Sequence, residues 1–218
     1  MSDTKQRLLD GALVAIRDHG IAGVSARTIG AAAGVNQALI FYHFGSVDEL
    51  LTAACMAGTQ AAVGRYASRF TQVGSLRELL AAGRALHVEE RRVGNVSVLA
   101  QLLAAAQSDP KLAGATAAAL QLWVDQVESV LHRLLDGTPF AEVADVAGVA
   151  RAVSAAFVGL ELYEGVDAAG ADRALAALDQ LAVLVEVVDE LGPVARRALR
   201  GKLTRAAARG RIRADRVT

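Results

Sequence analysis

Residues 25–51 of the chain read SARTIGAAAGVNQALIFYHFGSVDELL, and this stretch decides how the N-terminal part folds. Two short helices fit it, with Gly34 between them, where a tight turn favours a residue without a side chain. We expect Ser25 to cap the first helix and Asn36 the second, because their side-chain oxygens can accept hydrogen bonds from free backbone N–H groups. The second helix carries polar residues at its start and aromatic residues at its end. This layout is typical of a helix-turn-helix that binds DNA.

The polar side chains of the second helix belong to types that bind bases and phosphates. If its apolar residues pack inward, four side chains remain for solvent or a ligand: Asn36, Gln37, Tyr42 and His43. Asn and Gln can pair with adenine through two hydrogen bonds, and Tyr and His can donate to phosphate. Recognition helices place their N-terminal residues on base edges in the major groove, which favours Asn36 and Gln37 for that role.

The same stretch resembles the N-terminal signature of the TetR family of bacterial transcriptional regulators. The resemblance covers about 30 residues without a gap. It rests on Ser25, Ile29, Gly30, Ala33, Gly34, Val35, Asn36, Ile40, Phe41, His43, Phe44, Ser46, Asp48 and Leu50. The remainder of the chain agrees with the family in length and helical layout. The resemblance implies an N-terminal three-helix DNA-binding domain, followed by a larger helical domain.

The resemblance also implies a set of DNA contacts. It assigns phosphate contacts to Ser25, Tyr42 and His43. Arg27 and Thr28 would contact either a phosphate or a base edge. Asn36, Gln37 and Ala38 would contact bases. Two of these side chains have an alternative role, since His43 can serve packing or capping and Arg27 can be an ordinary solvated charge. A pair of core-forming helices without a role in DNA binding is the alternative for the whole stretch.

Three positions depart from the family pattern. Val47 stands where the family usually has Lys, which removes one phosphate contact. Phe41 replaces the usual Tyr and lacks its hydroxyl, and Gly30 replaces the usual Ala, which loosens the first short helix slightly. All three differences act to weaken DNA binding, and none is incompatible with the fold.

The composition predicts an all-α protein. The chain has 218 residues, of which 53% are hydrophobic and 4% aromatic, and apolar residues recur at helical spacing throughout. We expect about nine to ten helices, among them an eighth over residues 141–164 and a ninth over 171–191. The single cysteine, Cys55, excludes an intrachain disulfide and fits a reducing compartment. Because neither a signal peptide nor a membrane span is apparent in the sequence, we expect a soluble cytoplasmic protein.

Charge is unevenly distributed along the chain. The net charge is zero, but residues 196–216 contain nine Lys or Arg and one Asp, a local charge of +8. Residues 1–50 contain four Lys or Arg and five Asp or Glu, a net −1. Affinity for duplex DNA usually depends on neutralising phosphates, so we expect modest binding by one copy and a need for two. We interpret the basic C-terminal segment as a solvated helix with a frayed end, with binding to DNA or to an acidic protein surface as alternatives.

The predicted domains are residues 1–50, which bind DNA, and residues 51–218. For the second domain the resemblance implies a pocket among helices four to eight and a dimer interface on the last two long helices. The eighth helix is rich in small residues that allow another helix to approach closely: Ala147, Gly148, Ala152, Ala155, Ala156 and Gly159. The ninth is apolar on more than one face, which favours burial on two sides.

Five polar or aromatic side chains on otherwise apolar faces are candidates for the pocket: His87, Trp123, Phe157, Glu161 and Tyr163. Core packing or a rim position is the alternative for each. A pocket of this composition suits a largely apolar small molecule with one or two polar groups. We expect neither a metal nor a cofactor, because the four His residues have no close partner spacing and no phosphate-binding loop occurs.

The sequence therefore predicts a homodimeric transcriptional repressor that binds a palindromic operator and is released by a small-molecule effector. The alternative is a helical ligand-binding or scaffold protein with weak or lost DNA binding, which the net charge of residues 1–50 and Val47 favour. An enzyme is not expected, because no metal-ligand cluster or nucleophile motif is present.

Overall fold

The computed structural model describes residues 3–141, 144–189, 192, 194–195, 197–199, 201–202 and 204–205, and the regular secondary structure in these residues is all helical. Nine α-helices follow one another: α1 (Asp3–His19), α2 (Ala26–Ala33), α3 (Ala38–Phe44), α4 (Val47–Gln72), α5 (Leu76–Arg92), α6 (Asn95–Ala106), α7 (Pro110–Leu135), α8 (Val146–Glu164) and α9 (Ala168–Asp189). A short 3₁₀ turn, Ile21–Gly23, lies between α1 and α2. The predicted fold class, an N-terminal three-helix unit followed by a larger helical part, is confirmed.

The N-terminal helices enclose a small core. Leu8 and Ile16 of α1, Ile29 of α2 and Ile40 of α3 are fully buried. The two helices α1 and α2 pack closely because Gly11 faces the backbone of Ala33: a Cβ on Gly11 would lie 2.7 Å from the Ala33 Cβ and 2.8 Å from its nitrogen. Burial of this apolar surface holds the three helices together, since α2 and α3, with eight and seven residues, are too short to be stable alone.

The chain divides into two compact units. The first contains the described residues of 1–68 and 85–123, and the second those of 69–84 and 124–205. In the first unit, Val98 and Leu102 of α6 and Leu112 and Ala119 of α7 join the core of the N-terminal helices. Cys55 belongs to the same core, and burial raises the pKa of its thiol. The predicted boundary at residue 50 separates a DNA-binding part from a ligand-binding and dimerisation part. It stays a prediction.

In the second unit, α8 and α9 pack against each other and are joined by only three residues, which makes them antiparallel. The prediction that the eighth helix begins at Ala141 was wrong. It begins at Val146, because the backbone of Asp145 is extended and its side chain accepts a hydrogen bond from the Gly148 nitrogen at 3.0 Å, an N-cap. Helix α9 begins at Ala168, three residues earlier than predicted. Of the basic segment 196–216, seven positions are described, and the role predicted for that segment lies largely outside the described residues.

Helix α8 is unusually apolar for a helix with so much exposed surface. By length and composition it is the one described helix that could cross a membrane. Only 11% of its most apolar 18-residue window is buried in the fold. Among the exposed residues are Val149, Leu162 and Tyr163. Core helices of soluble proteins pass the same test of length and composition, so the observation marks α8 as a helix that needs a covering surface.

Gly11→Ala tests how closely α1 and α2 must pack. The new methyl group would meet the Ala33 backbone, which cannot move aside as a flexible side chain could, so we expect a loss of about 1–3 kcal/mol in the free energy of unfolding. The matched control is Gly64→Ala in α4, where nothing lies within 4 Å of the new Cβ and helix propensity should add about 0.5–1 kcal/mol. Urea unfolding followed by circular dichroism, at one protein concentration, measures both. Equal effects of the two substitutions would contradict the close approach.

Candidate DNA-binding surface

Ser25 caps helix α2, as predicted, and the Thr28 side chain takes part in the same cap. The Ser25 side chain accepts from the Thr28 nitrogen at 3.2 Å, and the Thr28 Oγ1 accepts from the Ser25 nitrogen at 2.8 Å, which is a reciprocal capping box. Arg27, between them, is exposed. Of the three DNA contacts predicted here, Ser25 and Thr28 already form hydrogen bonds within the chain. The exposed Arg27 forms no hydrogen bond or ion pair in the part of the chain that the structure describes.

The turn between α2 and α3 is fixed from α1. Gly34 ends α2 with φ of 63°, a left-handed conformation that favours glycine, as the sequence predicts. The Arg7 Nη2 donates to the carbonyl oxygens of Ala33 at 2.9 Å and of Gly34 at 2.7 Å. These carbonyls lie at the helix end and lack partners within the helix, and a guanidinium is a strong donor to them. Arg7 thus orients the start of α3, a role that the sequence pattern did not reveal.

Asn36 caps the start of α3 from one residue before the N-cap position, which Gln37 occupies. The Asn36 Oδ1 accepts from the Ala38 nitrogen at 2.9 Å, while its Nδ2, which can donate to a base or a phosphate, takes no part in the cap. Gln37 makes no side-chain cap hydrogen bond, and both Gln37 and Ala38 are exposed. The start of α3 therefore presents an amide group and a small methyl side chain, the combination that reads adenine and the thymine methyl group in the major groove.

Farther along α3, aromatic side chains point outward while one aliphatic side chain anchors the helix. Ile40 is fully buried, but Tyr42 is 81% exposed and Phe41 54% exposed. The rings of Tyr42 and His43 lie 4.8 Å apart at 76°, an edge-to-face contact that limits the movement of both. An exposed Tyr hydroxyl beside a half-buried His suits donation to phosphate oxygens.

The five side chains predicted to line a ligand pocket fall in different surroundings, and their role stays a prediction. In the first unit, His87 is half-buried on α5, and the Trp123 ring lies 6.2 Å from that of Tyr66. In the second unit, the Phe157 ring packs against Gly83, Glu161 is buried, and Tyr163 is 51% exposed with its hydroxyl 3.2 Å from Asp167.

A polar cluster near Trp123 was not predicted. The buried Glu90 carboxylate accepts from Arg65 at 3.0 Å, from the Tyr66 hydroxyl at 2.9 Å and from Asn95. Burial and the carboxylates of Glu90 and Glu89 raise the pKa of Tyr66 to about 12. Burial acts to raise the pKa of Glu90, but its three hydrogen bonds outweigh that effect, and the pKa lies below its ordinary value. The cluster ties α4, α5 and the start of α6 together.

The second unit contains a cavity of about 540 Å³ at the junction of α7 and α8. It is lined by Glu128, His132, Leu135, Asp136, Ala141, Ala144, Asp145, Val146 and Ala147. None of the five predicted pocket residues contributes to it. Among the described residues, no group of three or more His, Cys, Asp or Glu side chains is arranged to hold a metal ion.

Comparisons with known proteins agree with the helix-turn-helix. Residues 8–54 match the sequence model of the family described as bacterial regulatory proteins, tetR family. A comparison with curated proteins gives no match. The solved structure of a protein from Rhodococcus sp., assigned to the TetR-family transcriptional regulators, has a similar fold: TM-score 0.70 at 22% identity, over 86% of this chain and 99% of that one.

Two further structures show the same likeness. A TetR transcriptional regulator from Legionella pneumophila superimposes with a TM-score of 0.65 at 17% identity, over 83% of this chain and 97% of that one. A protein from Saccharomonospora viridis, crystallised in complex with choline, gives 0.63 at 21% identity, over 83% and 95%. Residues 8–54 therefore match the family model of the bacterial regulatory proteins, tetR family, and the chain shares the all-helical fold of these solved structures.

Proposed function

We propose that this regulator is a homodimeric repressor that binds a palindromic operator through α3 and is released from it by a small-molecule effector. The observation that carries the proposal is the exposed face of α3, where Gln37, Ala38 and Tyr42 project from a helix anchored by the buried Ile40. Exposure of an amide side chain at the start of the helix and of the Tyr42 hydroxyl farther along it favours a ligand with base edges and phosphates. We expect the protein to act in the cytoplasm.

Dimerisation is supported by the exposed face of α8 and α9. Ala152, Ala155, Ala156 and Gly159 are exposed and form a surface of small residues on which another helix can lie closely. Larger apolar side chains are also exposed on α8, after its end and on α9, at exposures of 39% to 88%: Val149, Leu162, Tyr163, Val166, Val183 and Val187. A second copy placed on this face would cover its apolar surface, and two-fold symmetry is the commonest way to do so.

Dimerisation would also compensate for the low affinity expected from the weakly charged DNA-binding surface. A net charge of −1 in residues 1–50 gives little phosphate neutralisation per copy. Of its four cations, Arg7 caps α2, and the Lys5 ammonium lies 5.3 Å from the centre of the Phe44 ring. Neutral donors and helix N-termini can still contact phosphates, and two linked half-site contacts multiply a modest affinity.

Release by an effector is proposed as a population shift. A dimer binds when the spacing of its two recognition helices matches one helical turn of DNA or a multiple of it. An effector that binds more tightly to a dimer with a mismatched spacing lowers the population bound to the operator. The size of the shift is limited by the difference between the effector's affinities for the two spacings. The choline complex of the Saccharomonospora viridis protein supports a small molecule as effector here. The long helix α4 is the proposed link, since it follows directly on the helix-turn-helix.

Substitutions on α3 test DNA binding. We expect Gln37→Ala to cost roughly 1–3 kcal/mol of binding free energy in each half-site, because a base contact is lost. Tyr42→Phe should weaken binding by about 0.5–1.5 kcal/mol without changing the salt dependence, because it removes a neutral phosphate donor. Anisotropy titrations against operator DNA selected from genomic fragments, at two salt concentrations, measure both.

Gln60→Ala is the matched control for these titrations, since Gln60 is an exposed amide side chain on α4 outside the proposed surface. It should bind operator DNA like the unaltered protein. If the unaltered protein selects no DNA from a whole-genome pool, the repressor proposal is wrong. The chain would then be a helical ligand-binding or scaffold protein, which the charge of residues 1–50 also permits.

Ala156→Glu tests the proposed dimer face. A carboxylate placed in the middle of the small-residue surface would be buried without a partner, so we expect the dimer to dissociate and sedimentation to give the mass of one chain. Ala104→Glu on α6 introduces the same charge at an exposed alanine away from this face and should leave the mass at that of two chains. A dimer that tolerates Ala156→Glu would place the interface elsewhere.

A further inference from the structure

Gln101 of α6 makes two hydrogen bonds to the backbone at the corner between α1 and α2. Its Oε1 accepts from the Ile21 nitrogen at 2.6 Å, and its Nε2 donates to the Ile16 carbonyl oxygen at 3.3 Å. These partners are 80 and 85 residues away in the chain. One amide group therefore joins the last turns of α1 to the start of the 3₁₀ turn.

The corner that Gln101 holds determines how α2 leaves α1. After α1 ends at His19, Gly20 takes a φ of 70°, and the 3₁₀ turn and Ser25 follow before α2 begins. The Ile21 nitrogen lies at the start of that turn, where a backbone donor has no partner within the turn itself. The Gln101 oxygen supplies that partner. Without it, a half-buried donor would lose its hydrogen bond, a cost that favours rearrangement of the corner.

Helix α6 holds Gln101 in place because other residues of the helix are themselves buried or hydrogen-bonded. Val98 and Leu102, on either side of Gln101, are buried in the core of the first unit. At the start of the helix, the Asn95 side chain donates to the buried Glu90 carboxylate. Gly94 lies so close to the Arg17 side chain of α1 that a Cβ would be 2.7 Å from its Cδ. Movement of α6 would therefore be transmitted to the end of α1.

We infer that Gln101 is a positioning residue for DNA binding, which holds the corner between α1 and α2 so that the helix-turn-helix is correctly placed on its operator. The inference rests on the proposed function, since it concerns the geometry of the same surface. Gln101 would contact no DNA. Its effect on affinity would come through the backbone of Ile16 and Ile21.

The test compares three variants of the full chain. Gln101→Met keeps the length of the side chain but loses both hydrogen bonds, and Gln101→Glu keeps an acceptor for the Ile21 nitrogen. Gln107→Met is the matched control on the same helix, because the Gln107 amide donates only within α6, to the Leu103 carbonyl. The measurements are hydrogen exchange at the Ile21 amide by NMR, and affinity for operator DNA selected from genomic fragments, at several salt concentrations.

For Gln101→Met we expect faster exchange at Ile21 by about tenfold or more and an operator affinity lower by about five- to tenfold. The dependence of affinity on salt should not change, because no phosphate contact is lost. Gln101→Glu should restore most of the protection at Ile21 and most of the affinity. Gln107→Met should change neither.

Three results would overturn the inference. Unchanged exchange at Ile21 in Gln101→Met would show that the hydrogen bond does not protect this amide. Faster exchange with operator affinity within about twofold of the unaltered protein would leave Gln101 a structural contact with no effect on DNA binding. If the unaltered protein binds no DNA, the proposed function fails and the positioning role with it, and the exchange rates still report whether Gln101 holds the corner.

Discussion

The close packing of α1 on α2 is the constraint on which the DNA-binding surface depends. At Gly11 the two backbones come so near that a methyl group would meet the Ala33 backbone. One turn earlier, Arg7 reaches over the same crossing and holds the carbonyls of Ala33 and Gly34, so that α1 fixes both the angle of α2 and the turn that follows. From the other side, Gln101 fixes the corner at Ile21. The direction of α3 follows from these contacts, since α3 has only seven residues and one fully buried side chain of its own.

The fold uses many of the polar side chains near the DNA-binding surface for its own hydrogen bonds. Ser25, Thr28 and Asn36 cap helices, and Arg7 caps a helix end. Gln37 and Tyr42 remain, together with Arg27, as exposed groups whose role the fold does not explain. This division gives a surface that is held by hydrogen bonds but weakly charged, and under the proposed function its amide and methyl groups would matter more than attraction to phosphates. A second copy, as proposed, would add the affinity that this weakly charged surface lacks.

The sequence predicted those features that depend on neighbours close in the chain. The Ser25 and Asn36 caps and the Gly34 turn were all predictable, because a cap and its helix lie within four residues of each other. The start of α8 was misplaced because residues 141–145, AEVAD, contain apolar positions that fit a helix, whereas the Asp145 cap sets the boundary. Arg7, Gln101 and the Glu90 cluster were missed, since their partners are 5 to 85 residues away and helical periodicity does not say which turns of two helices meet.

The central claim is that two copies of α3 read a two-fold symmetric operator. Hydroxyl-radical footprinting of the chain on DNA fragments that it selects from the genome tests this most directly. We expect two protected half-sites related by two-fold symmetry, with centres about one helical turn, 34–36 Å, or a multiple of it apart. Protection of a single asymmetric site, or the same weak protection along every fragment, would contradict it.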